Sequence, residues 1–208
     1  MSMSGPLILG IAGSPRRHGN SEQLLDAALA GAGQAGGRVS KLVAATFDIR
    51  PCQGCNACSL TGECVLRDEM HAVYSAIDAA DGIIVGSPVF FATVPSVLKI
   101  VYDRMQPYWA RTHVLKELPP RRRPGGYVVV RSGGDPYGFV AAQYTTKSVF
   151  AVLGLDYIGE VKVAGVDSPS DIGRLHPEAF DLAAELGSKV TLQAAERAAD
   201  GRSSDEGA

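Results

Sequence analysis

The run Leu7-Ile8-Leu9-Gly10-Ile11-Ala12-Gly13-Ser14-Pro15-Arg16-Arg17-His18-Gly19-Asn20-Ser21 decides the fold. It opens with a continuous apolar stretch of strand length and turns through Gly, Ser and Pro. It then leads directly into a segment where Leu25, Ala28, Leu29 and Ala32 recur at helical spacing. An apolar strand followed at once by an amphipathic helix is the opening of a βαβ unit.

The pattern repeats along the chain. Gly82-Ile83-Ile84-Val85 and Tyr127-Val128-Val129-Val130 are further apolar runs, suited to strands covered on both faces. Met70, Val73, Tyr74 and Ile77 have helical spacing after a capping Asp68, and so do Leu98, Val101, Tyr102 and Met105 after Pro95. Helices are also expected near 139–153 and 177–197. Val39 to Phe47 and Tyr157 to Ala164 have mixed polarity and read as edge strands. The expectation is an α/β doubly wound parallel sheet, one domain over residues 1–197, with 198–208 as a flexible tail.

Composition removes several function classes. At 208 residues and 46% hydrophobic, the chain has the make-up of a folded domain, not a disordered one. Lys plus Arg (20) against Asp plus Glu (22) gives a net charge of -2, with no basic field for nucleic acid or an anionic membrane. The run Arg121-Arg122-Arg123 is expected in a solvated loop. Pro88 and Pro95 interrupt the longest charge-free stretch, Gly82 to Leu98, so it reads as strand, loop and helix start and not as a membrane span. Leu7 to Ala12 is too short for a signal-peptide core, so a cytoplasmic location is expected.

In such a sheet ligands bind beyond the carboxyl ends of the strands, near the point where strand order reverses. The loop after the first strand offers Ser14, Arg16, Asn20 and Ser21 beside a helix start, a donor set suited to a phosphate monoester. It has neither the spacing of a dinucleotide fingerprint nor a Gly-Lys-Ser/Thr element. A polar turn capping the helix would use the same residue types. The loop after the third strand, Pro88-Val89-Phe90-Phe91-Ala92-Thr93, suits a flat aromatic ligand or a buried apolar loop. Gly133-Gly134, after the fourth, permit close backbone approach or an ordinary turn. Lys99 and Asp103, at i and i+4, read as a surface ion pair and not as catalytic residues.

All four cysteines, Cys52, Cys55, Cys58 and Cys64, fall within one short glycine-containing loop. A disulfide scaffold would spread them out, so the spacing points to metal or redox chemistry in a reducing compartment. Cys-x2-Cys-x2-Cys-x5-Cys can surround an iron–sulfur cube, the longer last spacer letting Cys64 return to the same group. Zinc also takes four thiolates, usually on two separated Cys-x-x-Cys arms. Dithiol chemistry needs only two of them, and four free thiols packed as small hydrophobes would sit unusually close together.

Gly-Ser-Pro-Arg-x-x-Gly-Asn-Ser at 13–21, Gly-Ser-Pro-Val-Phe-Phe-Ala-Thr-Val-Pro-Ser at 86–96 and Leu98-Lys99-x-x-x-Asp103-Arg104 together resemble the flavodoxin-like NAD(P)H-dependent FMN reductases. The likeness covers residues 7 to about 165. It implies a five-stranded parallel sheet in order 2-1-3-4-5 and a bound FMN. The phosphate would lie on Ser14, Arg16, Asn20 and Ser21, and the isoalloxazine against Pro88 to Thr93 and Gly133-Gly134. The cysteine loop followed by Asp68-Glu69-Met70 is similar to the iron–sulfur flavoprotein branch of that family. That branch implies a [4Fe–4S] cluster on the four cysteines and a homodimer or homotetramer. It also implies NAD(P)H as donor and a separate electron acceptor. Flavin N5 would do the chemistry, with no catalytic side chain. An electron carrier without turnover, an FMN or quinone reductase with a metal-free cysteine loop, and a zinc-stabilised interaction module are the competing functions.

Overall fold

The computed structural model describes residues 5–117 and 121–205. Five parallel strands, β1 (Leu7–Ala12), β2 (Arg38–Val43), β3 (Gly82–Pro88), β4 (Arg123–Arg131) and β5 (Leu155–Ala164), form one sheet in the order β2-β1-β3-β4-β5. The apolar runs are the three central strands, and the two mixed-polarity segments are the edges, as expected. Helices α1 (Asn20–Gln34), α2 (Cys58–Thr61), α3 (Met70–Ala79), α4 (Ser96–Asp103), α5 (Gln106–His113), α6 (Val140–Val152), α7 (Asp171–Leu175) and α8 (Glu178–Asp205) complete the described chain.

Alternation along each central strand divides the core between the two faces of the sheet. Leu9, Ile11, Ile83, Val85, Tyr127 and Val129 pack with Met70, Ile77, Leu98, Val101 and Phe150 from α3, α4 and α6. Ile8, Ala12, Ile84, Val128 and Val130 face the other way, toward Leu24, Leu25, Ala28, Leu186 and Val190 from α1 and α8. α1 and α8 approach so closely that a Cβ on Gly31 would lie 2.1 Å from the Ala184 carbonyl oxygen, and one on Gly187 would lie 1.8 Å from that of Ala28. Each helix therefore needs its glycine at the crossing.

Several local expectations are revised. β2 ends at Val43 and continues as a 3-10 turn over Ala44–Thr46, so the edge strand is shorter than Val39 to Phe47. α8 is described through Asp205, and 206–208 lie outside the described residues. α5 and α7 were not legible in the hydrophobic pattern. No helix among the described residues is long and apolar enough to cross a membrane.

The arginine run is a solvated loop only in part: Arg121 and Arg122 are exposed ahead of β4, whereas Arg123 is buried. Arg121 pairs with Asp81 at 2.8 Å and Arg122 with Asp156. Arg123 opens β4 and is 7% exposed. Its Nη1 donates to the carbonyls of Ile77 (2.6 Å) and Ala80 (2.8 Å), and its Nη2 to that of Leu153 (3.2 Å). These carbonyls end α3 and α6, neither of which has a basic residue in its last turn. The last carbonyls of a helix lack internal partners and carry partial negative charge, so one buried guanidinium closes two helices at once. Arg123→Met should lower unfolding free energy by about 3 kcal/mol in urea melts, with Arg123→Lys recovering part of the loss.

Candidate functional site

The strand order reverses between β1 and β3, and the loops that follow the strands are stitched together there. Gly13 N–H donates to Gly86 O at 2.7 Å, Val89 N–H to Val130 O at 2.8 Å, and Val166 N–H to Arg131 O at 3.2 Å. The resulting cleft is lined by Ser14, Arg16, Gly19, Asn20, Ser21, Pro88, Val89 and Phe90, with Val130, Arg131, Ser132, Val166 and Asp167. Seven of the residues singled out in the sequence thus meet at one place. Phe91, Ala92, Thr93, Gly133 and Gly134 are not in its lining.

The first loop is rigid for a reason the sequence did not reveal. Glu22, in the first turn of α1 and 2% exposed, accepts from His18 N–H (2.6 Å), from Arg17 and from Lys41. Burial pushes the Glu22 carboxyl up, but the His18 N–H, Arg17 and Lys41 outweigh it and hold the group at about 2. His18 sits at φ 56, a left-handed conformation that this bond to its N–H holds in place. Gly19 caps α1 without a side-chain bond, so the first-turn N–H groups remain for a ligand.

The donors divide between ligand and scaffold. Ser14 is buried, and its Oγ accepts from Arg16 N–H at 3.0 Å. Ser21 is buried at the helix start. Asn20 is committed to the scaffold on both sides of its amide: Nδ2 donates to Ser168 O (3.0 Å) and Oδ1 accepts from Ile172 N–H (3.3 Å). Arg16 Nη1 reaches the Asp167 carbonyl at 2.9 Å, leaving its other donors free. Arg131, which the sequence did not single out, has a buried Nε with no partner among the described residues. An orphaned guanidinium donor in a cleft with buried hydroxyls and a bare helix start suits a polar, anionic ligand.

Phe91 and Ala92 form a two-residue turn with φ 47 and 65, closed by Phe90 N–H to Thr93 O (2.8 Å) and Thr93 N–H to Phe90 O (3.1 Å). Ala92 N–H donates to Asp135 Oδ2 at 3.2 Å, tying the turn to the loop after β4. Among the described residues this leaves the Phe91 N–H as the available backbone donor in that stretch. Phe91 is fully exposed. Gly134, at φ 86, needs glycine for its backbone alone, since a Cβ there would meet nothing.

The four cysteines line a second cleft, with Gln53, Gly54, Asn56, Val65 and Leu66 from their own loop and Asp103, Arg104, Gln106, Pro107 and Trp109 from α4 and α5. Cys52 and Cys55 are exposed and Cys58 and Cys64 half-buried, all as free thiols. The loop is closed at its base. Asp48 N–H donates to Glu69 at 2.5 Å, Arg50 N–H to Asp68 at 3.1 Å, and Arg111 Nε to Gly62 O at 2.9 Å. Asp68 Oδ1 also accepts from Met70 N–H at 3.2 Å, although the residue at the N-cap of α3 is Glu69 and not the expected Asp68. Burial pushes the Cys58 thiol up, and the neighbouring Cys64, Cys52 and Cys55 push the same way. Burial and crowding of this kind favour the neutral thiol of Cys58. No three His, Cys, Asp or Glu side chains among the described residues converge tightly enough for a single metal ion. Lys99 and Asp103 pair at 2.7 Å on the surface, the structural role expected of them.

Residues 6–167 match the family model described as NADPH-dependent FMN reductase. The chain belongs to that family. As a member, it is an NAD(P)H-dependent FMN oxidoreductase. An iron-sulfur flavoprotein of Archaeoglobus fulgidus is 34% identical over 183 residues, 88% of this chain and 77% of that protein. An iron-sulfur flavoprotein of Methanosarcina thermophila is 39% identical over 97 residues, covering 47% of this chain and 51% of the relative. Among solved structures, a flavone reductase superposes with a TM-score of 0.67 at 17% identity over 90% of this chain and 62% of its own. The NAD(P)H:quinone oxidoreductase of Methanothermobacter marburgensis gives 0.64 at 15% identity, with 89% and 96% covered. These two likenesses are likenesses of fold.

Because the Glu22 pKa is depressed in the folded protein, its contribution to stability is complete above its ordinary value of 4.5 and is lost as pH falls toward about 2. Glu22→Gln should lower stability at neutral pH by about 2 kcal/mol and flatten that acid limb. Denaturant melts across the same pH interval check both effects.

Proposed function

We propose that this FMN oxidoreductase also carries a [4Fe–4S] cluster on Cys52, Cys55, Cys58 and Cys64 and works as a cytoplasmic homodimer or homotetramer. It would take electrons from NAD(P)H and deliver them to an acceptor that accepts them singly. The observation that carries this reading is that all four thiols line one cleft whose loop base is pinned shut. The iron–sulfur flavoprotein relatives support it. Free thiols without disulfides fit a reducing compartment.

The phosphate of FMN suits Ser14, Ser21, Arg16 and the first-turn N–H groups of α1, with Asn20 holding the 168–172 segment that backs them. Arg131 Nε supplies a further donor. Pro88, Val89, Phe90 and Val130 offer apolar walls for a ring system. Phe91, Ala92, Thr93, Gly133 and Gly134 belong to the rim, where the Phe91 N–H and the glycine turn could meet a ring edge. Bound there, FMN supplies hydride acceptance and release of electrons one at a time. The protein's part is to orient it and to stabilise charge, without a side-chain acid or base.

Anaerobically purified protein should show flavin absorption together with about four irons and matching acid-labile sulfide per chain. Cys55→Ser should lose the iron and keep the flavin. Flavin without iron in the wild type would leave a reductase with a metal-free thiol loop. A colourless, zinc-loaded protein that takes up no FMN would sink the flavin reading as well. Arg16→Ala should weaken FMN binding roughly tenfold, about 1.4 kcal/mol, by fluorescence titration. Steady-state oxidation of NAD(P)H with a quinone or ferric acceptor separates an enzyme from a carrier.

A further inference from the structure

Arg104, at the end of α4, is 1% exposed and lines the cysteine cleft. Its Nη1 donates to Asp68 Oδ2 at 2.7 Å and to Arg50 O at 2.8 Å, and its Nη2 to Asp68 Oδ1 at 3.1 Å. This end-on fork uses both terminal nitrogens and leaves Nε on another edge of the guanidinium. Nε is buried and has no partner among the described residues. A buried charged group with an unmade hydrogen bond is expensive, so the donor calls for an acceptor. Cys64 lies close enough to Arg104 to couple with it electrostatically.

We propose that Arg104 is a positioning residue for the iron–sulfur group, its Nε–H donating to a sulfur on the Cys64 side and its buried cation setting the group's reduction potential. The inference rests on the cluster reading above. Four thiolates around a [4Fe–4S] core make a dianion when oxidised and a trianion once a reductant has delivered one electron, with no bond formed or broken. A fixed cation and an N–H donor beside it favour the more negative state, and net charge and hydrogen bonds to sulfur are what tune such potentials. Asp68 acts in the opposite sense: it orients Arg104 but sets a negative charge near the same group.

The test is a dithionite titration of the full-length, anaerobically reconstituted protein, followed by electron paramagnetic resonance. Arg104→Gln should lower the one-electron equilibrium constant for reduction about tenfold, roughly 59 mV toward more negative potential. Arg104→Lys keeps the charge but loses the Nε donor and should fall between. Asp68→Asn should shift the potential the other way. Arg104→Gln and Asp68→Asn both break the same fork, so a merely structural role would move both in one direction. Iron-replete Arg104→Gln with an unchanged potential, or shifts of the same sign in those two variants, overturns the assignment alone. Wild-type protein that takes up no iron and sulfide overturns the cluster reading and this inference together. If Arg104→Gln fails to fold, judged by lost flavin absorption, the signs in Arg104→Lys and Asp68→Asn decide.

Discussion

The parallel pairing of β1 with β3, out of sequence order, is the constraint from which the remaining geometry follows. Because β2 lies on one side of β1 and β3 on the other, the chain leaving β1 turns to one face of the sheet and the chain leaving β3 to the other. α1 therefore packs with Leu186 and Val190 of α8, while α4 packs with α3 and α6. Two loops that diverge from adjacent strands leave a crevice at the carboxyl edge that no side chain of the sheet fills. The Gly13 to Gly86 backbone bond sets its floor. A Cβ on Gly86 would lie 2.9 Å from Leu25 Cβ and 3.0 Å from Ser21 O, so α1 can seat its first turn there only because that position is bare.

The cysteine loop depends on the same frame in a different way. It leaves beyond an edge strand, where an insertion disturbs no ladder, and returns before α3, so its ends must be held together by side chains. Arg104 does this from the end of α4, gathering Asp68 and the Arg50 carbonyl on the two arms of the loop. Burial pushes the Asp68 carboxyl up, yet Arg104 and the Arg50 and Met70 N–H groups hold it at about 2. Burying two charges carries a desolvation penalty that a single contact does not always recover. Here the fork is bidentate and the carboxylate takes two backbone N–H bonds as well, the condition under which such a pair stabilises. The pair thus links the α4 that follows the β3 loop to the base of the thiol cleft.

How much of this was legible in the sequence depended on the range of the interaction. Central and edge strands follow from local polarity, and the helix faces follow from spacing, so Leu9, Ile83 and Val128 fell into place without tertiary information. The cleft residues from Ser14 to Phe90 were legible because their loops follow apolar runs that read as central strands, the strand order itself coming from the family resemblance. Glu22, Arg104 and Arg123 were not: each is a charged residue buried by tertiary partners, up to 19 positions away for Glu22 and 30 or more for the arginines, and polarity alone assigns such residues to solvent. Asn20 misled in a smaller way, since an amide at a helix start looks like a ligand donor until Ser168 and Ile172 are seen to occupy it.

Strain at the cleft's rim follows from these long-range ties. Phe91 and Ala92 both adopt positive φ, which for residues with a Cβ costs roughly 1–2 kcal/mol each. The turn persists because it is held on three sides. Phe90 and Thr93 close it, Asp135 accepts the Ala92 N–H, and the Ala92 carbonyl accepts Ala142 N–H at 3.1 Å. The loop after β3 is therefore fixed to the loop after β4 and to the start of α6, just as the loop after β1 is fixed by Glu22. Ligand-facing groups mounted on loops lose precision unless something outside the ligand fixes them. In this chain the loops after β1 and β3 have anchors, Glu22 and Asp135, that are not among the residues lining the cleft.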